Sequence, residues 1–495
     1  MSGLKINFHK SEAFVLDQSP EVCTRVARQL NCKLGAFPFT YLGLPISDKN
    51  LTVDQWAFLV MKLAGRVEPW IGRFLSSGGR LVLSNSCLAS LPMFAMGLFL
   101  LQEGVHVQFD SHRARFFWEG AGTKRKYHMV NWPAMCRPKE CGGLGLLNSR
   151  QMNVALMLKW IWKLYQMDNS IWAQIIRAKY TQNGDIFSSS DRGGSQFWKS
   201  LHKIKQLFKL GAKHRVQNGH RTSFWQDRWH GEGPLSLRFP LLYNVCEDPS
   251  ISVAQAVQGE CRFRRSLDAV GFNQWLELAE IINSTHLVDG HDVVSWSLET
   301  SGAYSVNSMY KKLMQGATVA HFQEIWKARI PLKIRIFSWQ LILDRLPSGA
   351  QLATRQGPSD GNCALCGEVE DATHIFFRCS PAVFMWAVLR QVLGRPWCPQ
   401  NFAQFFAILA NFTGRARRLI WLLFLAQAWA LWSVRNKLSI ERKVVKHPAD
   451  IIFKTMVFLQ AWLPPLRSLD KEGASWLVAK LRELHAGCLP SRTRS

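Results

Sequence analysis

Apolar residues recur at helical spacing through much of the chain. Trp56, Leu59, Val60 and Leu63 fall on one face of residues 49–73, which predicts an amphipathic helix there. Ser77-Gly78-Gly79 is expected to break it, ahead of a mostly apolar segment over 80–101. Residues 19–34 have the spacing of a short helix and residues 109–118 that of another. Val154, Leu158, Ile161 and Leu164 set a third over 151–165. Residues 2–8 alternate like a strand. From about residue 195 the texture changes to short segments marked by Trp198, Trp225, Trp229 and Trp296, separated by glycine turns. Asn218-Gly219, between Arg215-Val216-Gln217 and Arg221-Thr222-Ser223-Phe224-Trp225, predicts a β-hairpin. Pro331 suits the first turn of a helix through Leu332, Ile336, Trp339 and Leu343 to Arg345. The last hundred residues also read as helical.

This pattern predicts a mixed, mainly α fold in four parts. A helical region covers 1–165 and a Trp-rich α+β connecting region covers 166–300. A small helical module follows over 301–393, then a basic helical region over 394–495. Two apolar runs, 88–101 and 419–434, fall short of the ~20 residues that a bilayer span requires. Arg417, Arg418 and Arg435 bracket the second. Both are expected to be buried in protein, and no membrane partner is expected.

Composition narrows the function. Hydrophobic residues make up 47% and there are 21 Trp, enough for packed cores and too many for a disordered tail. Lys and Arg number 61 against 35 Asp and Glu, a net charge of +26. Such an excess points to a polyanionic partner, RNA or DNA held mostly through phosphates, ahead of an anionic membrane surface. Most cysteines are scattered singly, as at Cys23, Cys87, Cys136, Cys246 and Cys261, and no signal peptide opens the chain. A reducing compartment is expected, nucleus or cytoplasm, and not secretion.

The exception among the cysteines is Cys363, Cys366, His374 and Cys379, spaced C-x2-C-x7-H-x4-C. Three thiolates and an imidazole fill the tetrahedral shell of one Zn2+, leaving no position for water, so the metal would be structural. Gly367 after the C-x2-C turn relieves backbone strain, and the second pair is expected on a helix, on nearby faces. Cys398 is a more distant competing ligand. Candidate phosphate contacts are Lys124, Arg125 and Lys126 beside Tyr127 and His128, with Arg215, Arg221, Lys333, Arg335 and Arg378.

The motifs also form an ordered series. Phe39-Thr40-Tyr41-Leu42-Gly43-Leu44-Pro45 resembles the F-x-Y-L-G-x-P segment that follows the catalytic palm in reverse transcriptases of plant non-LTR (LINE-type) retroelements. Residues 2–12 resemble the stretch just downstream of the polymerase carboxylates. Residues 79–100, Phe117-Trp118, residues 127–146 and Ser223-Phe224-Trp225-Gln226-Asp227-Arg228-Trp229 continue the likeness. Tyr304-Ser305-Val306, Trp326, Pro331, Phe337, Trp339, Leu346 and the Cys/His cluster resemble that family's zinc-binding domain, and Trp432-Ser433-Val434-Arg435-Asn436 the segment beyond it.

The resemblance implies a thumb-like region over 1–165 and a reverse-transcriptase zinc-binding domain over 301–393. It also implies a catalytic pair that this sequence lacks. Family polymerases hold two divalent metals on an aromatic-x-Asp-Asp hairpin, and no Asp-Asp pair occurs here. Asp289 and Asp292 lie in an unrelated segment, and Met1 falls just after the place where the hairpin would be. The expected protein is therefore not an enzyme, and no catalytic residue is assigned. It reads as a catalytically incomplete C-terminal part with a zinc module and non-specific RNA or DNA binding. Two other readings stay open: half of a polymerase that works only with its missing fingers–palm part, and a pseudogene-derived chain without selected function.

Overall fold

The computed structural model describes residues 7, 11–16, 19–68, 75–119, 127–166, 169–181, 186–444 and 447–488. The strand expected over 2–8 lies, Asn7 apart, outside the described residues, as do Lys124, Arg125 and Lys126. The protein is mainly α, 57% helical with few strands. Two compact units make up the chain. One gathers residues 1–68, 87–112 and 147–315; the other gathers 69–86, 113–146 and 316–495. The span expected as a single zinc module, 301–393, contributes its first fifteen residues to the first unit and the rest to the second.

In the first unit the Ala57–Val67 helix buries Leu59, Leu63 and Val67, four residues apart along one stripe. The Ser149–Tyr165 and Gln196–Phe208 helices share a core with Trp198, Phe208, Trp296 and Met309. Asn148 caps the first of these, its side chain accepting from the backbone of Arg150 and Gln151. Strand Ala212–Arg215 is antiparallel to Val293–Trp296, with Ala212 opposite Trp296 and Arg215 opposite Val293. A second core gathers Phe224, Trp225, Phe239, Leu242 and Leu278.

The hairpin expected at Asn218-Gly219 does not form. The strand before this turn pairs with a segment some eighty residues later, and the turn is organised from there. Asp292 Oδ1 accepts from the N–H of Gln217 (2.7 Å) and Gly219 (3.0 Å), and Oδ2 from Arg221 N–H and the Thr222 hydroxyl. A carboxylate that satisfies three loop amides at once outweighs a local turn preference.

In the second unit one core runs from Leu81 through Trp339 and Phe376 to Leu481. It joins the Leu332–Ile342, Ser380–Leu393, Gly414–Glu441, Ala449–Ala461 and Ser468–Gly487 helices. The apolar run 419–434 lies inside the 28-residue Gly414–Glu441 helix, and every residue from Trp421 to Ala428 is buried. Among the described residues no helix is long and apolar enough to cross a membrane. Ser77-Gly78-Gly79 opens a helix, Ser77–Leu83, rather than breaking one. Ser76 accepts from Gly79 N–H as its N-cap, and a Cβ on Gly78 would stand 3.2 Å from Leu332 Cγ. Those glycines allow close packing at a capped start, a role their helix-breaking reputation hides.

Candidate metal centre

The Leu332–Ile342 helix, the turn at 361–370 and the segment leading into the Ser380–Leu393 helix frame the site. Trp339 is fully buried on that first helix, and its indole N–H donates to the Gly142 carbonyl at 2.8 Å. Pro331 stands at the N-cap of the helix, one position before its first turn.

The C-x2-C half folds as a tight loop. Cys363 N–H donates to the Glu368 carbonyl at 2.7 Å, and Gly367 N–H returns to the Cys363 carbonyl at 2.9 Å. Gly367 has φ of 77°, in the left-handed region that a side chain would resist. Asn362 bridges to Val369 across the loop, with Cys363 buried and Cys366 exposed.

The other two ligands come from a π-helical turn, His374–Arg378. Five residues along an ordinary α-helix would swing His374 and Cys379 about 140° apart. The wider turn closes on the bond from Cys379 N–H to the His374 carbonyl, 2.8 Å, and brings the two together. Cys379 then leaves the turn with an extended ψ of 145° and serves as the N-cap position of the Ser380–Leu393 helix. The expected plain helix is thus replaced by a π turn. Ile375, Phe376 and Phe377 inside it are buried in the core, so the turn is held from the other side.

The four ligand atoms all lie within 4.8 Å of one another. Cys363 Sγ and Cys379 Sγ are 3.8 Å apart, and Cys366 Sγ and His374 Nε2 are 3.3 Å apart. Zinc–sulfur bonds of ~2.3 Å at tetrahedral angles give sulfur–sulfur edges of roughly 3.8 Å, so the donor set fits that ion. Burial, and then the neighbouring Cys363 and Cys366 thiols, push the Cys379 thiol well above its ordinary range. A divalent cation reverses that logic, because it needs the thiolates that burial and mutual repulsion oppose. Nε2 faces the sulfurs, and Nδ1 lies 3.2 Å from Glu368 Oε2. That is ion-pair distance without the alignment of a hydrogen bond. Cys398 is exposed and lies outside the group.

Two residues that sequence reasoning missed fix the loop. Glu370, 2% exposed, accepts from Gly349 N–H at 2.8 Å and from Arg435 Nε at 3.0 Å; Arg435 Nη2 grips the same oxygen. A buried carboxylate three residues past Gly367 therefore ties the metal loop to the long helix. The signal was the acidic run Glu368-Val369-Glu370-Asp371 inside an otherwise basic chain.

The candidate phosphate contacts do not gather at this centre. Arg378, at the end of the π turn, and Lys333, with Nζ 6.0 Å from the Trp429 ring centre, are exposed. Arg335 is half-buried and donates to the Trp326 carbonyl at 3.2 Å; burial lowers its pKa, and its Nε finds no acceptor. Arg335 is thus a packing residue before it is a contact. Arg215 and Arg221 belong to the first unit and are exposed around the loop that Asp292 organises.

Comparison with known proteins agrees with the geometry. The family described as zinc-binding in reverse transcriptase matches residues 304–386, which include all four ligands. An Arabidopsis thaliana protein provisionally named as a ribonuclease H protein is 28% identical over 357 residues, covering 69% of this chain and 57% of its own length. An uncharacterized mitochondrial protein of Arabidopsis thaliana is 28% identical over 142 residues, 28% of this chain and 92% of its own. The chain therefore spans little more than half of the first relative. The three-thiol, one-imidazole cluster lies inside the matched segment, so residues 304–386 carry the reverse-transcriptase zinc-binding domain, and the relatives are of a kind typical of retrotransposon-derived proteins.

Proposed function

We propose that this chain binds RNA or DNA non-specifically through phosphates, on a scaffold closed by one structural Zn2+, and carries no polymerase centre of its own. The observation that supports it most directly is the closed donor set: four ligand atoms within 4.8 Å leave no open coordination position for chemistry. Cys363, Cys366, His374 and Cys379 would hold the ion, which would supply cross-linking and not catalysis. The net charge of +26 supplies the attraction for a polyanion. The sequence contains no Asp-Asp pair to hold the two metals of nucleotide addition.

The test has two arms. Metal analysis of the purified chain should give about one zinc per chain, lost in Cys363→Ser and kept in Cys398→Ser. Labelled single-stranded RNA should bind with an affinity that falls steeply with salt. For each phosphate neutralised, log K should drop by about 0.7 per decade of salt. Unchanged zinc in Cys363→Ser would refute the ligand set, and salt-indifferent binding would refute the phosphate-driven reading.

A further inference from the structure

The second unit contains a cleft built from none of the metal ligands. It encloses about 490 Å3 between the end of the Ala320–Lys327 helix, the first turns of Gly414–Glu441 and the start of Ser468–Gly487. Five cations line it (Lys327, Arg329, Arg417, Arg418 and Arg467) against two carboxylates, Glu324 and Asp470.

Both carboxylates are already engaged. Arg417 Nε donates to Glu324 Oε1 at 2.6 Å, while its Nη1 donates to the Leu409 carbonyl at 2.7 Å. Arg418 forks onto Asp470 through Nε–Oδ2 at 3.0 Å and Nη2–Oδ1 at 2.8 Å. Arg329 Nη1 reaches a backbone carbonyl, that of Pro465, at 3.3 Å. Among the described residues no carboxylate stands at ion-pair distance from Lys327, Arg329 or Arg467, and all three are exposed. Three uncompensated cations on one rim focus a positive potential into the cleft.

The rest of the lining is apolar: Ala328, Leu419, Trp421, Leu422 and Leu466. A cationic rim over an apolar bed complements a nucleotide, which brings phosphate oxygens and a flat ring. We propose that this cleft binds the phosphate of a nucleotide, free or within a nucleic-acid strand. It deepens the proposed nucleic-acid binding and, for the strand case, rests on it.

The test uses the full zinc-loaded chain. A short fluorescein-labelled single-stranded RNA is titrated across a salt series, and calorimetry follows uridine monophosphate and inorganic pyrophosphate directly. Lys327→Ser with Arg467→Ser is compared with Lys471→Ser with Arg482→Ser, the same charge change on exposed positions outside the cleft. The cleft pair should weaken RNA binding at least about tenfold and shallow the salt slope by about 1.4, two single-strand phosphate contacts. The outer pair should change affinity by less than about threefold, and both should unfold where the parent does. Equal losses in the two pairs, or RNA affinity untouched by the cleft pair, would overturn the cleft and leave general RNA binding standing. Absent RNA binding with mononucleotide or pyrophosphate heat that disappears in the cleft pair would support the cleft and remove the strand reading. No binding of any probe would remove both.

Discussion

Asp292 carries more of the first unit than its place in a loop suggests. Burial pushes its carboxyl up, but the N–H groups of Gln217, Gly219 and Arg221 and the Thr222 hydroxyl outweigh that, and its pKa lies below the ordinary 3.8. A depressed folded pKa stabilises the protein above the unfolded value, and that contribution is lost as pH falls through the folded one. Asp292→Asn should therefore cost about 2 kcal/mol in urea unfolding at neutral pH, from weakened hydrogen bonds to backbone donors. The gap between parent and variant should narrow below about pH 4, where the carboxylate of the unfolded parent begins to protonate, and close as pH falls through the lower folded value. A gap of constant size down to acid pH would show that Asp292 acts by shape rather than charge. Glu370 is the corresponding residue of the second unit, with Gly349 N–H and the Arg435 guanidinium converging on one oxygen.

At the level of elements, packing and ligation are separable. Trp339 anchors the Leu332–Ile342 helix in the core and touches no ligand directly through its indole N–H, which is spent on Gly142. Trp339→Ala should destabilise the second unit by about 3–5 kcal/mol while the folded chain still holds its zinc. Cys363→Ser should lose the metal as well as stability. Metal content measured beside the unfolding curve distinguishes the two; zinc lost from folded Trp339→Ala would mean that the helix positions the ligands themselves. Much of this was legible beforehand. The periodicity of Leu59 and Leu63, the helix after Pro331 and the four-ligand spacing all depend on local chemistry, and all have structural counterparts. What escaped depends on distant partners. Asn218-Gly219 is a sound hairpin signal, but Asp292 lies over seventy residues away and claims the loop's amides. Gly78 looks like a breaker until Leu332 is seen packed over it. The π turn at His374 has no periodicity of its own; it is imposed by the need to aim two ligands five residues apart at one point.

Across the whole second unit, the metal loop and the C-terminal helices share one core, so a bound ion should stabilise more than its own loop. The path is physical: Cys363 and Cys366 flank the turn that ends at Glu370, and Glu370 is buried against Arg435 near the carboxyl end of the Gly414–Glu441 helix. The amino end of that helix is held by other contacts, Arg418 on Asp470 and Arg417 on Glu324. A small zinc module folds with its metal, and a buried ion pair deprived of its geometry costs more than it returns, about 3–5 kcal/mol when one partner is lost. Chelation followed by amide hydrogen exchange should thus show an ordered response. Residues 361–379 should lose protection first, residues 430–441 next, and residues 417–424 last. Glu370→Gln in the zinc-loaded chain should reproduce the second step without the first, since it cuts the link and leaves the ligands in place. Simultaneous loss along the entire helix would instead mean that the unit opens as one cooperative block, with the zinc holding its global stability and no local relay through Glu370 and Arg435.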